Sequence, residues 1–372
     1  MIELKEIDNR IKPAILVIGI GGGGNNAVDR MIESGIDRVT FAAVNTDRAV
    51  LDDTKAEIKI PIGEKMLKGY GAGADPTLGE AAAKENEDEI SELISGYDMV
   101  ITTCGMGGGT GTGAIPVISK LSKDRGILTV GVVTMPFSFE NTPRMVAAKN
   151  GIEKLKENVD TLLVIHNDKL LSLSDKPLML DDAFQFADSV LKYTIEGITN
   201  IVFNKGIVNI DFNDISTTLR NKGAGHLGIG RVDEGGSIID AVKLAINSPL
   251  LNTSIKGAEN LLINTSGKVD VLALNEAILY IKELAGENVN IIWGTVKDQN
   301  QAENGIVVTV IATGMPSEKK AVTQESMRIK PEVHFSTLPV QPVQLNRPVE
   351  YPKPSSRATE LEIPPFLKDF HK

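Results

Sequence analysis

The chain has 372 residues, of which 42% are hydrophobic and 24% charged, so it is long enough for two globular domains with buried cores. Its formal net charge of −10 excludes a nucleic-acid-binding protein that works through bulk positive charge. The single cysteine, Cys104, excludes an intrachain disulfide framework and a cysteine-based zinc site, and it suits a reducing cytosol.

The start of the chain predicts a cytoplasmic protein. Residues 1–12 carry charges throughout and have no apolar core, so they are not a secretory signal and we expect a flexible extension. No apolar run approaches 18 residues, so we expect no direct insertion into a membrane.

Strands and helices alternate through the first half of the chain. The apolar run 14–20 is bounded by glycines and predicts a buried parallel strand, and residues 25–35 predict a helix that ends on Gly35. The alternation continues with predicted strands at 39–47, 97–104, 127–136 and 160–168, and with predicted helices at 75–96, 113–126 and 142–159. This order predicts a Rossmann-like α/β fold, with helices on both faces of a parallel sheet.

The second half predicts a smaller α/β domain. Residues 180–206 keep helical spacing of apolar side chains over six turns, which predicts a helix of about 24 residues between two domains. Strand-like runs follow at 257–267, 289–298 and 305–314, with a helix at 272–286.

Proline content changes near residue 316, because nine of the 17 prolines lie from Pro316 onward. The segment 316–356 therefore predicts a disordered linker, and apolar side chains return in 357–372, which predicts a peptide that docks on a partner. The predicted parts of the chain are an extension at 1–12, a nucleotide-binding domain at 13–180, a central helix at 181–206, a second domain at 207–315, the linker at 316–356 and the docking peptide at 357–372.

The first glycine run, Gly19 to Gly24, follows a predicted strand and opens a predicted helix. This is the context of the dinucleotide fingerprint G-x-G-x-x-G, and Asn45 and Asp47 end the next strand. Taken alone, the run indicates an NAD-dependent oxidoreductase, or a tight turn that serves packing.

A second glycine run, CGMGGGTGTG at 104–113, also lies between a predicted strand and a predicted helix. Consecutive backbone N–H groups in such a loop form an anion site, and two anion sites on one sheet fit a triphosphate better than a dinucleotide. A third short turn at 71–74 could close the same pocket. No P-loop or kinase signature occurs, so we expect neither of those nucleotide-binding folds. The four histidines are scattered along the chain, so we expect no Ser-His-Asp or histidine-metal site and a structural role for His166.

The motif GGGTGTG, with its companions in order along the chain, resembles the FtsZ family of tubulin-like GTPases. The companions are GIGGGGNNAV, AVNTD, GAGADP, PFSFE, VIHNDKLL, DAFQFAD, VNIDFND, SPLL and EIPPFLKDF. The resemblance implies GTP binding, with Asp188 reading guanine and Phe184 stacking on the base. The full set implied to bind nucleotide is Gly22, Gly23, Gly24, Asn25, Asn26, Ala72, Gly73, Ala74, Gly107, Gly108, Gly109, Thr110, Gly111, Glu140, Arg144, Asn167, Phe184 and Asp188.

The resemblance also implies that Asp211 and Asp214, with Asn209, orient the attacking water at the GTP of the next subunit, with Mg²⁺ held mainly by the phosphates and no protein metal site. Head-to-tail filaments of this chain would then form a ring at midcell. The tail residues Ile363, Pro364, Phe366 and Leu367 would dock on membrane-tethering and regulatory division proteins.

Three departures from the family pattern affect loops near the site. Residues 141–143 are Asn-Thr-Pro where many relatives have a glycine and basic residues, His166 replaces a common proline, and Cys104 replaces alanine. We expect Cys104 to be a buried, unreactive thiol.

Overall fold

The strands of the first half are apolar along most of their length because helices cover both faces of their sheet. The computed structural model describes residues 12–315, apart from 37, 172–178, 204–210, 249–254, 268 and 297–304. The predicted docking peptide and linker, and Asn209, lie outside the described residues.

The described part of the chain contains ten strands and twelve α-helices. The strands are β1 (Ile15–Ile20), β2 (Thr40–Asn45), β3 (Ile58–Pro61), β4 (Met99–Gly105), β5 (Leu128–Met135), β6 (Thr161–His166), β7 (Gly223–Val232), β8 (Asn260–Ser266), β9 (Asn290–Val296) and β10 (Ile306–Thr313). The helices are α1 (Gly21–Glu33), α2 (Arg48–Asp53), α3 (Glu64–Leu67), α4 (Pro76–Glu85), α5 (Glu87–Leu93), α6 (Thr110–Asp124), α7 (Thr142–Glu157), α8 (Asn167–Leu171), α9 (Leu180–Phe203), α10 (Phe212–Leu219), α11 (Ile238–Ile246) and α12 (Val271–Ala285), and a 3₁₀ turn covers Ser138–Glu140.

All ten strands pair in the order β3-β2-β1-β4-β5-β6-β7-β10-β8-β9. The first seven strands in this order, from β3 through β2 and β1 to β7, are parallel, as the alternation predicts. The strand β7 joins the two parts of the sheet, because its first residues pair with β6 and its remainder pairs antiparallel with β10. The fold is therefore the predicted α/β fold, with a mostly parallel sheet.

Two hydrophobic clusters fill the two faces of the parallel strands. Alternate residues of β1 show this, because Val17 belongs to the cluster that includes side chains of α1 and α9, whereas Ile18 belongs to the cluster that includes side chains of α4, α6 and α7. A third cluster lies among α11, α12, β8 and β10.

The predicted long helix is observed as α9, which has 24 residues. It packs against β5 and β6 and also against β8, β9 and β10. Its buried side chains include Val190, Leu191 and Ile195. The boundaries predicted on either side of it, at 180 and 206, stay predictions.

The prediction of one continuous helix over residues 75–96 is wrong. Residues 75–96 form two helices, α4 and α5, that are separated at Asn86. The Asn86 side chain accepts a hydrogen bond from Gly63 N at 2.9 Å and donates one to Glu89 at 3.0 Å. The bond from Gly63, 23 residues earlier in the chain, ties the Asn86 side chain to another part of the fold, and the Asn86 backbone leaves the helical conformation with φ −110° and ψ 26°, which explains the break.

Candidate nucleotide-binding site

A cavity of about 360 Å³ lies where β1, β4 and β5 end and where α1 and α6 begin. Ligands of open parallel sheets bind at this edge, beyond the carboxyl ends of the strands. The first N–H groups of an α-helix have no intrahelical partner and carry a partial positive charge, so two helix starts at one cavity favour an anion.

Gly21 to Gly24 of the first glycine run form the opening turn of α1 rather than a loop before it, and Gly19 lies in β1. Gly21 has φ +70°, a conformation that suits glycine. Gly22 and Gly23 line the cavity, whereas Gly24 serves packing, because a β-carbon there would lie 2.5 Å from the Thr103 carbonyl oxygen.

The two asparagines that follow have different positions. Asn26 lines the cavity, but Asn25 does not and is only 1% exposed. Asn25 Nδ2 donates to the Gly19 carbonyl at 2.9 Å, and Asn25 Oδ1 accepts from Asn45 Nδ2 at 2.7 Å. The side chain of Asn25 therefore holds the glycine turn from beneath instead of facing the cavity.

The second glycine run forms the other side of the cavity, which Gly108, Gly109 and Gly111 line together with Thr110. Gly109 is the N-cap of α6 and has no side chain that could accept the first N–H groups of the helix. The Thr110 hydroxyl lies 2.5 Å from the Thr46 hydroxyl at the end of β2. Backbone and hydroxyl donors thus converge on the phosphate end predicted for this loop.

Gly107 and the turn 71–74 lie outside the cavity lining. The Gly107 N–H donates to the Thr112 hydroxyl at 2.8 Å, which fixes the loop. Ala72 is buried behind Gly109, where a β-carbon built on Gly109 would lie 2.9 Å from the Ala72 β-carbon. The turn therefore supports the second glycine run from outside.

The side chains of Glu140 and Arg144 line the cavity as an ion pair at 2.6 Å. Glu140 also accepts a hydrogen bond from Phe137 N at 2.9 Å, which fixes its carboxylate. Arg144 is the more exposed partner, and a guanidinium in this place can bind phosphate oxygens in a bidentate manner.

The far end of the cavity combines an aromatic ring and a carboxylate. Phe184 is 39% exposed and packs edge-to-face on Phe137, with ring centroids 5.4 Å apart, so its ring is not a core aromatic. Asp188 pairs with Arg30, with Nε 3.0 Å from Oδ2. Burial raises the pKa of Asp188 to about 6, and Arg30 opposes that rise.

Asn167 is 4% exposed and lines the cavity, and within the described part of the chain its Oδ1 has no hydrogen-bond partner. A buried acceptor without a partner is costly, so a ligand that donates to it would be favoured. A nucleoside, with its hydroxyl and ring N–H donors, fits this requirement.

The cavity thus gathers most of the residues that the sequence implied for nucleotide. Those that line it are Gly22, Gly23, Asn26, Gly108, Gly109, Thr110, Gly111, Glu140, Arg144, Asn167, Phe184 and Asp188. Those that do not are Gly24, Asn25, Ala72, Gly73, Ala74 and Gly107. Thr134 and Pro136 also line the cavity, although the sequence implied no nucleotide contact for them; Pro136 is the first residue of PFSFE and Thr134 lies two residues before it in β5, which was the available signal.

Asp211 and Asp214 do not line the cavity of their own chain. Asp211 is the N-cap of α10, and its carboxylate accepts a hydrogen bond from Asp214 N at 2.9 Å. Both side chains are exposed. The motif VNIDFND therefore ends in a capped helix start, with two carboxylates at the surface.

Cys104 and His166 lie outside the cavity lining. Cys104 is fully buried, and burial raises the pKa of its thiol, which confirms the expected inert residue. His166 does not line the cavity, and burial lowers its pKa. Among the described residues, no three His, Cys, Asp or Glu side chains are grouped to hold a metal, and no helix is long and apolar enough to cross a membrane.

Comparisons with known proteins agree with this geometry. The model of the Tubulin/FtsZ family GTPase domain matches residues 14–175, and that of the FtsZ family C-terminal domain matches residues 223–316. An empty FtsZ dimer from M. jannaschii is 41% identical with a TM-score of 0.78, and the match covers 82% of this chain and 89% of that one. A mutant FtsZ from M. jannaschii matches equally well, over 92% of its chain. GDP-bound CetZ1 from Haloferax volcanii shares the fold at 24% identity, with a TM-score of 0.67 over 82% of this chain and 95% of that one.

The GTPase-domain match contains all of the cavity except its far end on α9, and the C-terminal match contains the strands that extend the sheet. Two family models in sequence, together with 41% identity over most of the length, show that this chain belongs to the tubulin/FtsZ family of GTPases.

Proposed function

We propose that this protein hydrolyses GTP only where two copies stack head to tail, with the cavity of one copy completed by Asp211 and Asp214 of the next. One observation carries the proposal: the acidic side chains that line the cavity, Glu140 and Asp188, are both paired with arginines, whereas Asp211 and Asp214 are exposed and lie outside it. Family membership supports GTP as the substrate and self-association as the setting.

The residues of the cavity would divide the work between phosphates and base. The N–H groups at the start of α1 and α6 and the Thr110 hydroxyl would bind the phosphates, and Arg144 would neutralise part of their charge. Phe184 would stack on the base, and Asp188 would accept from the N1–H and 2-amino groups of guanine, a donor pair that adenine lacks.

The Thr110 hydroxyl is an oxygen donor of the kind that Mg²⁺ prefers, so the site fits a magnesium ion carried mainly by the phosphates. When bound, Mg²⁺ would offset the phosphate charge. The carboxylates of Asp211 and Asp214, with Asn209, would orient a water and accept its proton as its oxygen bonds to the γ-phosphorus and the bond to the β-phosphate oxygen breaks.

A heterologous contact of this kind does not close, so repeated stacking gives a filament. We infer that the filaments form the cytokinetic ring at midcell, in the cytoplasm. The predicted docking peptide, with Ile363, Pro364, Phe366 and Leu367, would recruit membrane-tethering and regulatory division proteins. Removal of residues 357–372 should leave GTPase activity intact and abolish recruitment, and normal localisation of that variant would contradict the docking role.

Mixing two inactive variants tests the shared site. Asp214→Ala keeps an intact cavity, whereas Gly22→Trp fills the cavity and keeps Asp214; Gly22 has no atom within 4 Å of a built β-carbon, so the backbone tolerates the change. Each variant alone should release little phosphate, and the mixture should recover activity. Asn213→Ala, an exposed change on the same helix, is the matched control and should behave as the unmodified protein. An inactive mixture of variants that still assemble would overturn the shared site.

The oxidoreductase alternative has lost its support. The Asp47 carboxylate, which would bind a ribose in a dinucleotide site, caps α2 by accepting from Val50 N at 3.2 Å. Asn45, the other polar residue at that strand end, is committed to Asn25.

A further inference from the structure

Helix α1 connects the phosphate end of the cavity with the base end. Gly22, Asn26 and Arg30 follow at intervals of four, which places them along one side of the helix. Gly22 and Asn26 line the cavity, and α1 packs against α9, which carries Asp188. One helix therefore offers backbone donors to the phosphates and, two turns later, an arginine to the base-end carboxylate.

The contact between Arg30 and Asp188 leaves acceptor positions open. Arg30 Nε lies 3.0 Å from Asp188 Oδ2, and the carboxylate is 17% exposed. An ionised carboxylate has about four acceptor positions on its two oxygens. Arg30 occupies one of them and thereby restricts the rotation of the group, so positions remain on both oxygens to accept from a ligand in the cavity.

Electrostatics add to this geometry. Burial favours the protonated form of Asp188, and a protonated acid cannot accept the donor pair of guanine with both oxygens. The other charged groups that line the cavity, Glu140 and Arg144, are paired with each other. In the described part of the chain, Arg30 is thus the charged contact that favours the ionised form of Asp188.

We propose that Arg30 is a positioning residue for base recognition, which holds the Asp188 carboxylate ionised and turned toward the two N–H donors of guanine. The proposal deepens the proposed function and rests on its assignment of Asp188 to the base. Arg30 would then be a determinant of base specificity on α1, the helix whose first residues line the phosphate end of the cavity.

Binding of GDP and of inosine diphosphate, whose base lacks the 2-amino group, tests this role in the full-length protein. Arg30→Gln should weaken GDP binding about tenfold, the value of one hydrogen bond to a charged group, and should weaken inosine diphosphate binding less. Below the pKa of Asp188 the affinity for GDP should fall with decreasing pH, and in Arg30→Gln this fall should begin at higher pH. Arg30→Lys should restore the pH profile, because the positive charge returns.

Arg48→Gln is the matched control, since Arg48 lies on α2 in exposed ion pairs with Asp52 and Glu64. Unchanged base preference and pH profile in a folded Arg30→Gln protein would overturn the positioning role. Asp188→Ala distinguishes a failure of the base assignment from a failure of the role of Arg30. If Asp188→Ala keeps its preference for GDP, the base assignment in the proposed function fails; if it loses that preference and Arg30→Gln does not, only the role of Arg30 fails.

Discussion

Asn45 Nδ2 donates a hydrogen bond of 2.7 Å to Asn25 Oδ1 in the buried space beneath the first glycine turn. Asn45 Oδ1 accepts from Asp47 N at 3.1 Å, and Asn25 Nδ2 bonds to the Gly19 carbonyl. Two buried amides therefore connect the ends of β1 and β2 beneath Gly22 and Gly23, which line the cavity.

Asn45→Ala should lower both stability and nucleotide affinity. The change leaves the Asn25 carbonyl oxygen buried without its donor, which costs about 1–3 kcal/mol. Urea denaturation measures the free energy of unfolding, and GDP titration measures the binding. The exposed change Asn150→Ala should affect neither quantity, and equal behaviour of the two variants would contradict the structural role of the pair.

Gly113→Ala should destabilise the packing of α6 on α4. A β-carbon at Gly113 would collide with the Pro76 carbonyl oxygen and lie 2.5 Å from Glu80 N, and both are backbone atoms. Forced overpacking of this kind costs about 1–3 kcal/mol. Thermal unfolding should show a lower midpoint for Gly113→Ala than for Gly22→Ala, where the added carbon meets open space, and equal midpoints would refute the close contact.

Asp160→Asn should weaken the connection between β5, β6 and the turn that leads into β7. The buried carboxylate accepts from Thr129 N at 2.9 Å and from Asn221 N at 3.1 Å, and an asparagine can accept only one of these bonds. The loss should lower the free energy of unfolding by about 1–3 kcal/mol in chemical denaturation. Asp124→Asn changes the same charge at an exposed position and should have little effect.

His166 should make the protein less stable as the pH falls. Burial, with the charge of Lys169, lowers its pKa below the ordinary value of 6.5, so the unfolded chain binds the proton more tightly. This contribution is complete above pH 6.5 and is lost as the pH drops toward the folded-state pKa. Asp188 acts in the opposite direction between about pH 4 and pH 6, because its pKa is raised.

Comparing His166→Asn with the unmodified protein isolates the histidine from the opposing carboxylate. Between pH 7.5 and pH 5 the free energy of unfolding should fall less in His166→Asn than in the unmodified protein. An identical pH dependence in both proteins would show that His166 does not titrate in this window.

The sequence predicts those parts of the fold whose cause is local. The apolar run of β1 and the helical periodicity of α9 are visible without a structure, and both glycine runs announce helix starts. The strand β7 has no such pattern, because GAGHLGIGRV is rich in glycine and is held by pairing with β6 and β10. Residues 75–96 have a helical composition, and only the tertiary bond from Gly63 to Asn86 shows why the helix breaks.

In the site, too, the sequence predicts the features with a local cause and not those that depend on tertiary packing. Glycines followed by a helix predict that the backbone binds an anion, but they do not show which side chains turn inward. Asn25 and Asn26 are adjacent residues of the same type, but in α1 Asn25 lies buried under the glycine turn whereas Asn26 lines the cavity. The sequence does not predict the place of Thr134 in the cavity, because that place depends on β5 lying beside β4, a pairing that no single segment encodes.

The burial of Cys104 has a practical consequence. It is the single cysteine of the sequence, and its thiol lies against Met106 with no exposed surface. Thiol reagents act on accessible thiolates, so Cys104 should not react with them in the folded protein. A cysteine introduced at the surface would then be the one reactive thiol, and a fluorescent probe could be attached there without removing any native residue.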